Sequence, residues 1–230
     1  MARHGKRYID AKKKAPTGPV SLEEAVAFVK ASANAKFDET VEVAMRLGVD
    51  IKKSDQTVRG TVTLPNGTGK KIRVIVFAGG AQADEARAAG ADEVGYEELI
   101  EKVKNGWTDF DVAIATTEAM KEVRKIARVL GPRGLMPNPK TGTVTDDTAA
   151  AVKAAKGGKV DFRMDRTGNV CVLCGKRSFD ADKLIGNINV IVEAVKAERP
   201  AGAKGTFIRS LTVCSTMGVG VRVLIKESGE

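Results

Sequence analysis

Apolar and polar residues alternate near both ends of the chain, which is the pattern of strands that bury one face. In Thr40–Leu47, valine, methionine and leucine occupy every second position, and Thr57–Leu64 shows a similar alternation. Because successive side chains of a strand point to opposite faces, both segments predict half-buried antiparallel strands. The remaining strands predicted near the ends are Val160–Met164, Asn169–Cys174, Thr206–Cys214 and Val219–Ile225. The turn residues Asp165–Gly168 predict that the first two of these form a hairpin.

Two segments in the same regions have helical periodicity. Ser21 and Glu24 have the spacing of a capping box, which predicts a helix that runs to about Ala33. A longer helix is predicted over Asp180–Glu198, where leucine, isoleucine and valine form one apolar stripe before Pro200. Strands combined with two amphipathic helices predict an antiparallel sheet with helices on one face, an α+β sandwich.

The central part of the chain has a different rhythm. Ile72–Phe77, in which Arg73 is the single polar residue, and Val112–Ala115 are apolar runs, typical of strands that are buried on both faces. Helical patterns separate or follow these runs at Gln82–Ala89, Tyr96–Lys104, Glu118–Leu130 and Asp146–Lys156. Alternation of strand and helix at this spacing predicts a small Rossmann-like parallel α/β domain.

The charge distribution changes at the same boundaries. Residues 1–66 contain 12 Lys and Arg against 8 Asp and Glu, residues 159–230 again contain 12 against 8, and residues 67–158 contain 14 against 13. The predicted fold is therefore α/β overall. A discontinuous basic α+β domain comprises residues 1–67 and 159–230, and an inserted α/β domain comprises residues 68–158 on a two-stranded hinge.

Composition excludes several classes of function. No apolar stretch approaches the length of a membrane span, so no membrane partner is expected and the cytoplasm is the default location. Cys171, Cys174 and Cys214 are too few for a four-ligand zinc site and are predicted to be small buried hydrophobes. A single histidine, His4, cannot support a catalytic triad, and the glycines at Gly79–Gly80 lack the spacing of a nucleotide-binding loop. No cofactor and no enzymatic activity are predicted.

The net charge of +9 points to nucleic acid as the partner. Aromatic residues make up only 4% of the chain, and no predicted strand carries exposed rings in pairs, which disfavours stacking of bases on a sheet. Recognition of folded RNA by its shape and its 2′-hydroxyls is left as the predicted mode. For the basic arm Ala2–Tyr8, a solvated tail and an RNA-contacting arm are equally compatible with the sequence.

Four motifs in order carry a family resemblance: Lys36–Val43, Gly131–Pro139, Gly202–Phe207 and Ser215–Gly218. Together they resemble the family of the first-numbered protein of the large ribosomal subunit, in its bacterial form. The resemblance extends from Arg3 to the last strand. One departure is Val219-Gly220, where bacterial relatives often carry Pro-Ser, and it changes the rigidity of the preceding turn.

The resemblance implies a structural constituent of the large ribosomal subunit, located in the cytoplasm within the ribosome. Its implied partners are the mobile lateral stalk of 23S ribosomal RNA and deacylated tRNA at the exit site, whose movement and release it would assist. Repression of translation through binding to its own operon mRNA is also implied. Outside the ribosome a monomer is expected.

The resemblance also implies RNA-binding residues. Phe37, Thr40 and Glu42 would lie on the RNA face at the start of the first strand, and Thr216, Met217 and Gly218 would form a tight turn against the RNA. Further implied contacts, to phosphates, are Lys36, Arg163, Lys204 and Arg222. From spacing alone, Phe37 is equally compatible with a core residue, residues 216–218 with a plain hairpin turn, and Glu42 with a solvated charge.

A different class of function is also open. A two-domain protein with a double hinge could close on a small molecule as an enzyme or a binding protein, with Arg133 and Lys140 as the candidate groups. A third possibility is a basic protein that coats nucleic acid without specificity.

Overall fold

The computed structural model describes residues 5–225, apart from the side chains of Ser54 and Lys140. The chain forms two compact units: Met1–Gly69 with Val160–Glu230, and Lys70–Lys159. The strands are β1 (Thr40–Leu47), β2 (Arg59–Thr63), β3 (Val74–Phe77), β4 (Glu93–Gly95), β5 (Val112–Ala115), β6 (Lys159–Arg163), β7 (Asn169–Lys176), β8 (Ile208–Ser215) and β9 (Val221–Val223). The helices are α1 (Lys6–Lys14), α2 (Leu22–Ser32), α3 (Ala81–Ala88), α4 (Glu97–Lys104), α5 (Met120–Val123), α6 (Ala127–Leu130), α7 (Thr148–Lys156) and α8 (Ala181–Ala197).

The first unit is organised around a four-stranded antiparallel sheet in the order β7-β1-β8-β9. Val43 on β1 lies opposite Val172 on β7 and Val213 on β8, so the inward-facing side chains of three strands meet in one layer. Alternate residues of β1 are buried, as its sequence predicted. The predicted antiparallel sheet is confirmed.

Helices α2 and α8 cover the buried face of this sheet. Ser21 is the N-cap of α2, because its Oγ accepts a hydrogen bond of 3.2 Å from the Glu24 N–H. Val26 and Val29 of α2 and Ile188 and Ile191 of α8 are at most 1% exposed and belong to the same core as the sheet valines. Burial of this apolar stripe against the sheet is what stabilises both helices.

The predicted hairpin between β6 and β7 is wrong. The turn itself exists, since the Asp165 N–H donates to the Asn169 carbonyl at 2.8 Å. However, β6 pairs with β2 in a separate two-stranded sheet, and β7 pairs with β1. A turn signal fixes a change of chain direction, whereas pairing depends on which apolar faces meet, and here β2 and β1 supply better partners.

Part of the basic N-terminal arm is helical. Helix α1 comprises Lys6–Lys14, and none of its residues is buried. Its last turn contains Lys12, Lys13 and Lys14, whose positive charges interact favourably with the helix dipole. Arg3 and His4, with which the family resemblance begins, lie outside the described residues.

The second unit contains a parallel sheet in the order β4-β3-β5 with helices around it, which confirms the predicted α/β class. Val74, Ile75, Val76 and Phe77 of β3 are all buried, as expected for the central strand of a covered parallel sheet. The helix predicted over Glu118–Leu130 is interrupted: α5 and α6 are separated by a 3₁₀ turn at Arg124–Ile126. The short edge strand β4 was not predicted.

The cysteines are not all buried. Cys174 is buried, Cys214 is partly exposed and Cys171 is exposed, so the prediction of three buried hydrophobes is wrong for Cys171. Cys171 occupies an outward-facing position of β7, between the buried Val170 and Val172. Among residues 5–225, no cluster of three or more His, Cys, Asp or Glu side chains has a geometry that could hold a metal ion. Nor does any helix in this part of the chain combine the length and apolar character that a membrane crossing requires.

Candidate RNA interface

Most of the predicted RNA-binding residues meet at one end of the four-stranded sheet, where β1 begins and β7 and β8 end. Thr40, the first residue of β1, lies opposite Lys176, the last residue of β7, and Val41 lies opposite Ser215, the last residue of β8. The loop that contains Phe37 leads into β1 at this end of the sheet, and the turn Thr216–Gly218 follows β8 at the same end. Thr40 and Thr216, which are 176 residues apart in sequence, are therefore neighbours because of strand pairing.

Thr216 fastens the turn to the start of β1. Its hydroxyl accepts a hydrogen bond from the Thr40 N–H at 3.0 Å and donates to the Thr40 carbonyl at 3.3 Å. The Thr216 N–H donates to the same carbonyl at 3.0 Å. Since a hydroxyl has one proton and two lone pairs, these bonds use the proton and leave a single acceptor position. The main role of this hydroxyl in the structure is to position the turn.

Glu39 holds the same turn from beneath, and sequence reasoning missed it. Its side chain is 1% exposed, and its two carboxylate oxygens accept hydrogen bonds from the Ala35 N–H at 3.0 Å and the Met217 N–H at 3.1 Å. One buried carboxylate thus connects the loop before β1 to the turn after β8. The signal in the sequence was a glutamate immediately before a strand, which alone does not distinguish this role from a solvated charge.

The environment of Glu39 keeps it ionised. Burial by itself would raise the pKa of the carboxyl. The Ala35 N–H, the nearby Ser215 hydroxyl, the Met217 N–H and the charge of Arg177 act in the opposite direction, and the net pKa lies below its ordinary value of 4.5. At neutral pH both oxygens are therefore acceptors.

Two large apolar side chains project from this framework into solvent. Phe37 is 53% exposed and Met217 is 65% exposed. The residue after Phe37 is fixed, because Asp38 accepts hydrogen bonds from the Ser178 N–H at 3.1 Å and the Ser178 hydroxyl at 2.8 Å. Exposure of Phe37 removes the alternative that it is a core residue. Apolar groups displayed on a fixed backbone are typical of a binding surface.

Gly218 completes the turn because its position has no room for a side chain. A Cβ at this position would collide with the buried side chain of Ser215. The Gly218 N–H donates to the Ser215 carbonyl at 3.0 Å, which closes the turn. The constraint on residue 218 is therefore steric, and it lets the backbone of the turn lie at the surface.

Cations and hydroxyls surround the exposed apolar pair. Lys36 is exposed, and the Lys176 ammonium donates to the Thr40 hydroxyl at 2.8 Å. Glu42 is exposed on the outer face of the sheet, opposite Leu173 and Cys214, two residues along β1 from Thr40. Arg222 is exposed on the edge strand β9, on the same face as Thr212, its partner in β8.

Arg163 and Lys204 lie at the opposite end of the sheet. The turn that follows Arg163 contacts the end of β1, where the Leu47 N–H donates to the Gly168 carbonyl at 2.8 Å. The loop that contains Lys204 also returns there, since the Gly48 N–H donates to the Phe207 carbonyl at 2.6 Å. Eight residues of β1 place this end about 23 Å from Thr40. The two cations therefore do not belong to the cluster around residue 216.

Comparison with known proteins settles the family. The sequence profile of the Ribosomal protein L1p/L10e family matches residues 29–219. The chain belongs to this family. It is 54% identical over 224 residues to the large ribosomal subunit protein uL1 of Streptococcus pneumoniae (strain Taiwan19F-14), which covers 97% of this chain and 98% of that protein. It is 56% identical over 207 residues, 90% of each chain, to the protein of the same name from Streptococcus sanguinis (strain SK36).

The resemblance predicted from four short motifs is thereby confirmed. Membership of the L1 family makes the chain a ribosomal protein, located in the ribosome in the cytoplasm. The family is one of structural proteins, so the interpretation as a small-molecule enzyme with Arg133 and Lys140 at a hinge is set aside. Ribosomal RNA is the partner that this family implies.

Proposed function

We propose that this L1 family member, a constituent of the large ribosomal subunit, binds the lateral stalk of the large-subunit RNA through the end of the sheet around residue 216. The observation that carries this proposal is the fixed turn Thr216–Gly218. Two independent groups, the Thr216 hydroxyl and the Glu39 carboxylate, hold it against β1. The turn presents the exposed Met217, which lines the same surface cleft as Phe37.

A fixed turn suits a folded RNA partner. Because the turn is ordered before binding, little conformational entropy is lost when the RNA docks. Exposed Met217 and Phe37 can contact sugars and base faces, while Lys36 and backbone groups are placed for phosphates and 2′-hydroxyls. Arg222 extends the same surface across the sheet. Glu42 would accept hydrogen bonds from 2′-hydroxyls or base amines, the donors that an acid can use.

Thr216→Val tests this proposal. Valine keeps the shape but removes the hydroxyl that bonds the Thr40 backbone, so we expect binding of a stalk-RNA fragment to weaken by roughly 1–3 kcal/mol. Thr63→Val, an exposed threonine on β2, is the matched control and should leave affinity unchanged. The measurement is the dissociation constant at fixed moderate salt, with circular dichroism to verify folding. Equal affinity of a folded Thr216→Val protein and the parent would remove this turn from the interface.

We further propose that the protein represses translation of its own operon mRNA by binding that mRNA through the same end of the sheet. One rigid surface that reads RNA shape recognises any transcript that presents the same shape. In competition with the stalk fragment, the operon leader should displace it at comparable concentration and an unrelated duplex should not. Displacement by the unrelated duplex at equal concentration would instead favour nonspecific coating.

The tRNA role is proposed for the second unit. Five cations on and after α5 are exposed within thirteen residues: Lys121, Arg124, Lys125, Arg128 and Arg133. Lys125 forms an ion pair of 2.6 Å with Glu122, which leaves the others as the principal positive charges of the segment. We propose that this segment contacts deacylated tRNA and so assists its release. Replacing Arg124 and Arg128 by Gln should reduce crosslinking to exit-site tRNA without changing affinity for stalk RNA.

A further inference from the structure

A cleft opens beside the candidate interface in the first unit. Helix α1, the segment between α2 and β1, and the turn after β8 enclose about 730 Å³. This volume falls within the range of small-ligand sites in proteins. Phe37, Met217 and Gly218 line both this cleft and the candidate interface, so the two surfaces are continuous.

The walls of the cleft combine rings with positive charge. Tyr8 of α1 and Phe37 supply two aromatic rings, and Met217 adds a polarisable side chain. Lys6, Arg7 and Lys36 supply three cations, and among residues 5–225 no acidic residue is part of the lining. Aromatic rings stack on nucleobases of any sequence, while Lys and Arg neutralise phosphates.

We infer that this cleft binds one unstacked nucleotide of the RNA partner, with its base against Tyr8 and Phe37 and its phosphate near Lys6, Arg7 and Lys36. The inference rests on the proposed function, since the nucleotide must belong to an RNA docked at the adjacent turn. Unpaired bases in loops and bulges are the parts of RNA that proteins read by stacking. A nucleotide in the cleft would also explain why α1 is an ordered basic helix although it buries none of its residues.

Charge decides between this occupant and a peptide. A peptide ligand for an aromatic cleft with three cations would need acidic side chains, whereas every nucleotide brings a negative charge with a flat ring. Continuity of the cleft with the candidate RNA interface also favours a nucleotide over a peptide.

The test is a double-mutant cycle between the protein and the RNA. Each unpaired nucleotide of a stalk-RNA fragment is replaced in turn by an abasic nucleotide, and affinities are measured for the full chain and for Tyr8→Ala. Ile9→Ala is the matched control, because Ile9 is the next residue of α1, is 43% exposed and does not line the cleft. Tyr8→Phe keeps the ring and reports whether stacking is sufficient.

We expect Tyr8→Ala to weaken binding of the intact RNA about 5- to 150-fold. Ile9→Ala should have no such effect, and Tyr8→Phe should stay close to the parent. At one abasic position the parent should lose affinity to a similar extent, and Tyr8→Ala should then have no further effect.

Three results would overturn the inference: no loss with Tyr8→Ala, an undiminished loss at every abasic position, or a stronger effect of an acidic peptide than of RNA in competition. Failure of the parent chain to bind the RNA at all would instead contradict the proposed function. If circular dichroism shows that Tyr8→Ala loses α1, the cycle is repeated with Tyr8→Leu, which keeps a large helix-compatible side chain without a ring. Retained affinity of that variant would also overturn the inference.

Discussion

Glu39 shows how a buried charge can position the backbone of a candidate binding surface. Taking a carboxylate out of water is costly unless hydrogen bonds replace the lost hydration. Here two backbone N–H groups from separate segments do so, at Ala35 and Met217. The carboxylate is therefore a joint between the loop before β1 and the turn after β8, and the position of Met217 depends on it.

Glu39→Gln should loosen this joint. The amide keeps one acceptor oxygen, but its NH₂ group faces a backbone N–H, so one buried donor loses its partner. We expect a loss of roughly 1–3 kcal/mol in the free energy of unfolding. RNA affinity of the folded variant should also fall. Urea denaturation and RNA titration measure both effects.

Glu42→Gln is the matched control, because Glu42 is exposed on β1, which begins directly after Glu39, and its replacement should leave stability unchanged. A variant at position 39 as stable as the parent would show that the carboxylate is not the joint.

The lowered pKa of Glu39 also gives a pH dependence. Its folded-state pKa lies below the ordinary 4.5, so its contribution to stability is present above pH 4.5 and is lost as the pH falls through the folded value. The parent should lose stability more steeply than Glu39→Gln in this acid range, as measured by denaturation at several pH values. Parallel pH profiles for the two proteins would contradict the assignment.

At the scale of elements, the structure departs from the sequence predictions where partners had to be chosen. The period of the apolar residues located β1, β7, β8, α2 and α8 to within a few residues. The same pattern could not tell that β6 pairs with β2, because local sequence does not encode which strand arrives alongside.

One polar contact inside an element also escaped the pattern. Asn187 of α8 is fully buried, and its side chain accepts from the Asn66 N–H at 3.2 Å and donates to the Gly67 carbonyl at 3.0 Å and the Cys174 carbonyl at 2.7 Å. It fastens the segment after β2 to the helix and to β7. An asparagine within an apolar helical stripe was the available signal.

Asn187→Leu should therefore destabilise the first unit. Leucine leaves three backbone groups without their partner, and we expect a loss of about 2–4 kcal/mol in the free energy of unfolding. Asn189→Leu is the control on the same helix, because Asn189 is exposed. Denaturation of both variants in urea gives the comparison. Equal stability of the two would show that the buried amide contributes nothing beyond its volume.

At the scale of the molecule, we propose that the first unit is an independently folding domain with the second inserted into it. Its core draws on both chain ends, from Ala25 to Val223, and is separate from the cores of the second unit. The Met164 N–H donates to the Val58 carbonyl at 2.9 Å, beyond the end of β6 and before the start of β2. The two strands are thus antiparallel, and the end of β2 lies beside the start of β6.

Excision of the second unit tests this proposal. Deleting residues 70–158 and joining Gly69 to Lys159 through a short Gly-Ser turn should give a protein that unfolds cooperatively and binds stalk RNA with nearly the parent affinity. The slope of log affinity against log salt should also be unchanged, because all the proposed phosphate contacts to stalk RNA lie in the first unit. Thermal unfolding and RNA titration at several salt concentrations provide the measurement, and a protein without a cooperative transition would contradict an independent domain.

The sequence by itself determined the class of both units, the positions of most helices and strands, and the family, since periodicity, charge blocks and ordered motifs are local properties of the chain. Phe37, Thr216 and Met217 were predicted as RNA-binding residues from the family resemblance that those motifs carry. Tertiary structure alone decided that Glu39 joins two distant segments, that Arg163 and Lys204 lie apart from the turn, and that Tyr8 faces the same cleft as Phe37. These facts depend on strand order and register, which arise from contacts between residues far apart in sequence and leave no periodic trace.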